Sequence, residues 1–94
     1  MLKADNFVDV VERNRDNPSF AIPSLTERES LRTGDVVKLI TRGERIWAEV
    51  IGRALGTYVG SVLSDPIATD VRRGGLVEFE PRHVADFGPR RNDS

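Results

Sequence analysis

The single histidine of the chain, His83, is the residue around which acid–base chemistry could be built. Asp86 follows it by three residues, and a carboxylate at that spacing could orient the imidazole as a general base. No motif marks an activated serine or threonine that such a base would deprotonate. The pattern therefore favours a histidine that lies at the surface or caps a turn, and we predict that the protein is not an enzyme.

Metal and cofactor chemistry have even fewer candidate residues. With one histidine, no cysteine and no spaced cluster of carboxylates, the chain lacks the ligand sets typical of zinc and calcium sites. Asp65 precedes Pro66 and is an ordinary turn-forming residue. We predict no metal, no cofactor and no disulfide.

The charge and hydropathy of the chain argue against two further classes of partner. The net charge of −1 at pH 7 does not favour a general polyanion binder. No apolar run approaches the roughly 18–20 residues that span a membrane. The first residues mix Lys3 with carboxylates, unlike a signal peptide. We expect a cytoplasmic protein without membrane contact.

Arginine supplies twelve of the fourteen cations. A high-GC genome would explain this bias without any function. The alternative is that planar, bidentate groups are needed at an interface or on phosphates. Glutamates interleave with the arginines, which is also typical of a solubilising surface. The candidate patches are Arg42, Arg45 and Arg53 on a central hairpin, and Arg72 and Arg73 in a later turn.

A β-hairpin over residues 45–63 must position most of these candidates. Alternate residues from Ile46 to Val50 are apolar, which is the period-two signature of a strand with one buried face. Residues 58–63 alternate in the same way. Gly52 and Gly56, which lie between the two strands, allow a hairpin turn or a bulge.

Residues 31–39 and 71–79 share one pattern: an apolar residue, Arg, a polar residue, Gly, any residue, an apolar residue, Val, a charged residue and an apolar residue. The pattern predicts a tight turn whose glycine, Gly34 or Gly74, takes a positive φ. Two copies are too few for a repeat protein. We interpret them as similar beginnings of two strands in one barrel.

The segments that flank the hairpin carry helix signals. Phe7, Val10 and Val11 lie on one side of a predicted amphipathic helix that ends before Pro18. Ser24 and Glu27 match a capping box that begins a single helical turn. We divide one domain, residues 1–94, into a helix (3–15), a strap and connector (20–34), a barrel (35–87) and a flexible tail (88–94).

Short strands, tight glycine turns and a final one-turn helix at Pro81 predict a mainly β (α+β) fold. We expect a small SH3-like antiparallel β-barrel preceded by the N-terminal amphipathic helix. The fifth strand is either Phe20–Ile22 or the residues after the final turn. The core is predicted to contain Val37, Leu39, Ile46, Val50, Val62, Val77 and Phe79.

Several segments together resemble a known family. They are Glu-Arg-Ile-Trp-Ala-Glu-Val at 44–50, Gly-x-Tyr-x-Gly and Asp-Pro within 56–66, Gly-Gly-Leu-Val-Glu-Phe at 74–79, and His-Val-Ala-Asp-Phe at 83–87. Over residues 45–87 the chain resembles the YegJ-like family of bacterial domains of unknown function. It departs from the family pattern at Arg45, near Asp65, at Gly75 and at Phe87. The resemblance implies a small β fold and no particular activity.

Trp47 is the most informative residue for function, because it faces outward if its neighbours Ile46 and Ala48 face the core. An exposed aromatic residue on a hairpin indicates either a partner or a covering element. The N-terminal helix, with Phe7, Val10 and Val11, is the candidate cover. If Trp47 instead points inward, it anchors the core.

We hypothesise a small non-catalytic binding or regulatory module that docks on another protein through its barrel surface. An inhibitor encoded by a phage or plasmid is one form of this hypothesis. The alternative is a nucleic-acid-binding SH3-like barrel that uses Arg-rich turns, although no row of aromatic residues for base stacking is present. A minor enzyme around His83 is the weakest of the three. The residues expected to contact a partner are Arg45, Trp47, Glu49, Tyr58, Arg72 and Arg73.

Overall fold

The computed structural model describes residues 3–41, 43–67 and 71–88. Within these ranges lie two short α-helices, α1 (Val10–Asp16) and α2 (Leu25–Glu29), and two 3₁₀ turns, Ala4–Asn6 and Pro81–His83. The strands are β1 (Val36–Thr41), β2 (Glu44–Ala54), β3 (Thr57–Val62), β4 (Leu76–Phe79) and β5 (Asp86–Gly88). Arg42 and, apart from Gly88, the predicted tail lie outside the described residues.

The strands form one antiparallel sheet in the order β4-β3-β2-β1-β5. Among the described residues β4 and β5 do not pair, so the sheet is not closed into a barrel. The mainly β prediction is confirmed, while the SH3-like barrel stays a prediction. Because β5 pairs with β1, the fifth strand comes from the residues after the final turn and not from Phe20–Ile22.

The main core lies on one side of this sheet. The seven residues predicted to form it are each at most 1% exposed, so the predicted facing of the strands is confirmed. Phe7, Leu31 and Val84, which lie outside the strands, complete the same cluster. On the other side of β1, Ile40 packs with Val10 and Ala85 in a second, smaller cluster.

The two echoed turns have equivalent structures. Gly34 and Gly74 both have positive φ, 100° and 84°. The Gly34 N–H donates to the Val50 carbonyl oxygen at 2.8 Å, and the Gly74 N–H donates to that of Val62 at 2.7 Å. Each turn therefore closes on a neighbouring strand in the same way, as the shared sequence pattern predicted.

The N-terminal helix is shorter than predicted. It begins at Val10, because Asp9 caps it by accepting a hydrogen bond from the Glu12 N–H at 3.0 Å. The Val8 N–H donates instead to the Ile40 carbonyl oxygen of β1, at 2.9 Å. An N–H that pairs with a strand cannot also extend a helix. The prediction of one continuous helix from residue 3 is wrong for this reason.

The strap crosses the second cluster without forming a strand. Phe20 and Ile22 pack against this cluster, on the side of β1 away from the main core. The predicted capping box then begins α2, with Ser24 Oγ accepting from the Glu27 N–H and Glu27 accepting from the Ser24 N–H. The strap and α1 thus lie together over one end of β1.

Candidate partner-binding surface

Strand β2 places three of the predicted partner-binding residues on one side of the sheet. Its buried residues, such as Ile46 and Val50, point into the main core. Side chains alternate along a strand, so Arg45, Trp47 and Glu49 point the other way. We call this side of the sheet the outer face.

Trp47 is the large aromatic residue of the outer face, and it is 38% exposed. Its register partner on β1 is Lys38, whose Nζ lies 6.0 Å from the indole centroid, within the range of a cation–π contact. The buried residue of α1, Val10, packs with Ile40 and Ala85. In the described part of the chain, α1 therefore covers Ile40, and the indole of Trp47 remains accessible.

The outer face continues from β2 toward the β4 edge. The strand register pairs Glu49 with Ser61 on β3, and Ser61 with Leu76 on β4. Leu76 is 42% exposed, and Ile51, at the bulge in β2, is 44% exposed. Exposed apolar side chains thus alternate with polar ones across three strands. A non-obligate interface is about as apolar as the rest of a protein surface, so this composition is compatible with one.

Arg72 and Arg73 lie in the turn before β4 and form a separate region from Arg45. Arg73 donates to both oxygens of the Asp65 carboxylate, through Nε at 3.1 Å and Nη2 at 2.7 Å. The hydrogen bond from Arg73 holds the pKa of Asp65 below its usual value. Arg73 is therefore engaged within the chain, and Arg72 is exposed beside it.

Tyr58 does not reach the surface. It is fully buried and stacks on Phe79, with ring centroids 5.3 Å apart. The Arg53 guanidinium carbon lies 4.8 Å from the centroid of the Tyr58 ring. The Tyr58 hydroxyl donates to the Arg28 carbonyl oxygen at 2.9 Å. A partner on the outer face would not contact this side chain. The signal was available in the sequence, because Tyr58 shares the strand parity of Val62, which was predicted to be buried.

Arg28 is a buried cation that sequence reasoning missed; it is 6% exposed. Its Nε donates to the Pro23 carbonyl oxygen at 3.0 Å, and its Nη1 donates to that of Pro81 at 3.3 Å. The guanidinium thus ties the end of the strap to the 3₁₀ turn before β5. Nothing in the local sequence marks this burial, because the capping box at Ser24 accounts only for the helix.

His83 is buried, at 1% exposure, and caps the second 3₁₀ turn. Its Nδ1 accepts a hydrogen bond from the Glu80 N–H at 2.9 Å. A ring nitrogen that already accepts a backbone proton is not available as a general base. Of the two non-catalytic alternatives, the geometry fits the turn cap. Among the described residues, no group of three or more side chains could hold a metal ion.

A cleft of about 570 Å³ opens between the strap, α1 and the outer face. An adjoining cavity of about 350 Å³ shares Ala21, Lys38 and Ala85 with it. Sequence reasoning identified Arg45 but not the cleft, because distant segments of the chain build it. Its described lining includes Arg13, Phe20, Lys38, Ile40, Arg45 and Ala85.

Comparisons with family models, curated proteins and solved structures return no match for this chain. The resemblance of residues 45–87 to the YegJ-like family therefore stays a prediction. In the described part of the chain, no helix has both the length and the apolar character needed to cross a membrane.

Proposed function

We propose that the domain is a small non-catalytic module that docks on another protein through the outer face of its sheet. The observation that carries this proposal is Trp47, which stays 38% exposed although α1 and the strap pack on the neighbouring strand. Tryptophan and arginine are enriched among residues that dominate binding energies. Arg45 is the adjacent outward-facing residue on the same strand.

The remaining site residues have different roles in this proposal. Glu49 supplies an acidic group beside Trp47. It is paired in register with Ser61, which is paired with the exposed Leu76 at the β4 edge. Arg72 extends the surface at the β4 edge, while Arg73 shapes that edge through Asp65. Tyr58 supports the sheet from inside without touching the partner.

A docking module without catalytic groups acts by binding to a surface of its partner, so the proposal includes a regulator or an inhibitor of that partner. An inhibitor encoded by a phage or plasmid is a specific form of the proposal. We also propose a cytoplasmic location and an SH3-like barrel as the finer description of the fold. The 3₁₀ turn between β4 and β5, and the return of β5 to β1, support that description.

The proposal is tested by photo-crosslinking from the outer face in the source cell. A benzophenone derivative of phenylalanine replaces Trp47 in one version of the protein and Leu55 in the other. Leu55 is fully exposed, but it lies in the β2–β3 turn rather than on the outer face. We expect a defined protein to crosslink from position 47, and mass spectrometry identifies it.

The crosslinked protein must meet two further conditions. It should be absent, or much weaker, when the probe is at position 55, and a Glu49→Lys change should reduce its yield from position 47. Equal crosslinking from both positions would indicate non-specific contact and contradict the proposal. Crosslinking from position 47 to nucleic acid alone would also contradict it.

Nucleic-acid binding is the alternative function, and the cations that line the cleft are the observation in its favour. Arg13, Lys38 and Arg45 line the cleft, and such cations bind phosphate oxygens. However, Glu27 and Asp86 line the adjoining cavity, so the cations do not continue along it. A nucleic-acid strand needs a positively charged track along its backbone. Docking on a protein is therefore the preferred function.

A further inference from the structure

The cleft has the size of a binding site and a partly apolar lining. Its volume of about 570 Å³ lies within the range of pockets that hold small ligands or a few side chains. Ile40 and Ala85 contribute apolar surface from the sheet side, and Phe20 and Ala21 contribute it from the strap. Ile40 and Ala85 are nearly buried, so Phe20 and Ala21 supply most of the apolar surface that a ligand side chain could contact.

The charge of the cleft is strongly one-sided. Its described lining has three cations, Arg13, Lys38 and Arg45, and no carboxylate. None of the three forms an ion pair or side-chain hydrogen bond with another described residue. The Arg13 guanidinium carbon lies 5.6 Å from the Phe20 ring centroid, and the Lys38 Nζ lies 6.0 Å from that of Trp47. Three cations in a lining that contains no carboxylate favour an anionic ligand.

The charge of the groove changes sign toward the adjoining cavity, so a ligand would bind in one orientation. Glu27 and Asp86 line it together with Lys38, and Asp86 lies opposite Lys38 in the register of β1 and β5. Positive charge is therefore concentrated at the Arg13 and Arg45 end of the combined groove, and carboxylates occur at the other end. A ligand with negative charge along its whole length would be repelled at that second end. This argues against a nucleic-acid strand.

The strap also offers backbone groups to a ligand. The N–H and C=O groups of Ala21 and Ile22 form no hydrogen bond to any described residue. On either side, the Phe20 and Pro23 carbonyl oxygens accept bonds from Asn14 and Arg28. Unpaired backbone groups beside a groove can pair with an extended peptide.

From these observations we propose that the cleft binds an extended acidic segment of the partner protein, in which carboxylates flank an apolar side chain. This inference rests on the proposed docking function and names the chemistry of the partner. The carboxylates contact Arg13, Lys38 and Arg45, and the apolar side chain packs against Phe20 and Ala21 of the strap. The backbone of the segment pairs with Ala21 and Ile22 of the strap.

The test selects peptides from a random library, so the partner itself need not be identified. The linear peptides are displayed on phage and panned on the immobilised full chain, and the affinities of enriched peptides are measured by fluorescence polarisation. We expect the enriched peptides to carry Asp or Glu on both sides of a leucine-like residue. Their binding should weaken by about tenfold or more in an Arg13→Gln, Arg45→Gln double variant.

A matched control removes two exposed arginines outside the cleft. The Arg15→Gln, Arg32→Gln double variant has the same net charge as the cleft variant and should bind the peptides as the unmodified chain does. Thermal unfolding of both variants verifies that they are folded. Since Arg13 and Arg45 form no ion pair or side-chain hydrogen bond with a described residue, and Arg13→Gln removes only the exposed cation–π contact with Phe20, the cleft variant should unfold within a few degrees of the unmodified chain.

Three outcomes would overturn the cleft proposal. The first is that no peptide is enriched, or that the enriched peptides carry no acidic bias. The second is equal weakening in the cleft and control variants, which would indicate only a general charge effect. The third is preferential binding of a single-stranded oligonucleotide that is lost in the cleft variant. If the partner crosslinked from position 47 is still captured by the cleft variant, the docking function stands and the cleft proposal alone fails.

Discussion

The hydroxyl of Tyr58 donates a hydrogen bond to the carbonyl oxygen of Arg28 at 2.9 Å, across a sequence separation of thirty residues. Arg28 lies in the last turn of α2, where carbonyl oxygens have no partner within the helix. The bond therefore satisfies the end of α2 from strand β3. The Arg28 side chain in turn holds Pro23 and Pro81. One buried tyrosine thus supports the strap that borders the cleft.

A Tyr58→Phe change tests this relationship. It removes the hydroxyl and leaves the Arg28 carbonyl without its buried donor, so we expect the free energy of unfolding to fall by about 1–3 kcal/mol. Urea denaturation followed by tryptophan fluorescence measures the change. A Ser61→Ala change on the outer face of the same strand serves as the control and should alter stability by less than about 0.5 kcal/mol. Equal effects of the two changes would contradict the role of the bond.

A Gly74→Ala change tests the conformation of the echoed turn. Gly74 has a φ of 84°, and nothing lies within 4 Å of the position that a Cβ would take. The cost should therefore come from the left-handed backbone alone and amount to about 1–2 kcal/mol. Thermal unfolding measures it.

Gly52→Ala is the matched control for that change. Gly52 also has no atom within 4 Å of the position that a Cβ would take, but its φ is not positive. We expect little or no loss of stability at this position. A Gly74→Ala protein as stable as the Gly52→Ala protein would show that the turn does not require its positive φ.

Asp9 should make stability depend on pH in the acid range. Burial raises the pKa of this carboxyl, but hydrogen bonds from the Glu12 N–H and from Arg82 outweigh burial and hold the pKa below its usual value. The ionised form therefore stabilises the folded state above the unfolded-state pKa of about 3.9, and this contribution is lost as the pH falls through the lower folded-state pKa. Because the side chains of Arg82 and Asp9 are 47% and 30% exposed, the contribution should be only about 0.5–1 kcal/mol.

An Asp9→Asn change isolates the charge, because asparagine keeps an oxygen that can cap α1. Unfolding by urea at a series of pH values should show the unmodified chain to be the more stable protein at neutral pH. The difference should shrink as the pH falls below about 4 and be lost once the pH is below the folded-state pKa of Asp9. A difference that stays constant over this range would mean that the charge of Asp9 is not its source.

Tight binding to duplex DNA is not expected at physiological salt. Residues 31–94 contain ten Arg or Lys residues and nine Asp or Glu residues, so this part of the chain has a net charge of only +1. Each phosphate that a protein neutralises steepens the salt dependence of log K by about 0.9 on duplex DNA. Titration with duplex and single-stranded oligonucleotides over a range of salt concentrations measures both the affinity and this slope. Sub-micromolar binding at about 0.15 M salt, lost in an Arg72→Ala, Arg73→Ala protein, would instead support the nucleic-acid alternative.

The sequence determined the features of this protein that depend on neighbouring residues. The alternation along β2 set which side chains enter the core, because consecutive side chains of a strand point to opposite faces. The glycines at 34 and 74 marked turns of positive φ, and the Ser24 capping box marked the beginning of α2. Each of these features depends on residues that are close together in the chain, so it can be predicted without knowing the contacts between distant segments.

Only the tertiary structure decided the features that depend on distant segments. The Val8 N–H donates to Ile40 and not to a helical carbonyl, which moves the beginning of α1 to Val10. The burial of Arg28 depends on carbonyl oxygens at Pro23 and Pro81. The cleft likewise exists because the strap packs over β1, which no local pattern specifies. Such contacts form between segments that are far apart in the chain, and the free energy that selects them comes from packing and hydrogen bonds that exist only in the folded protein.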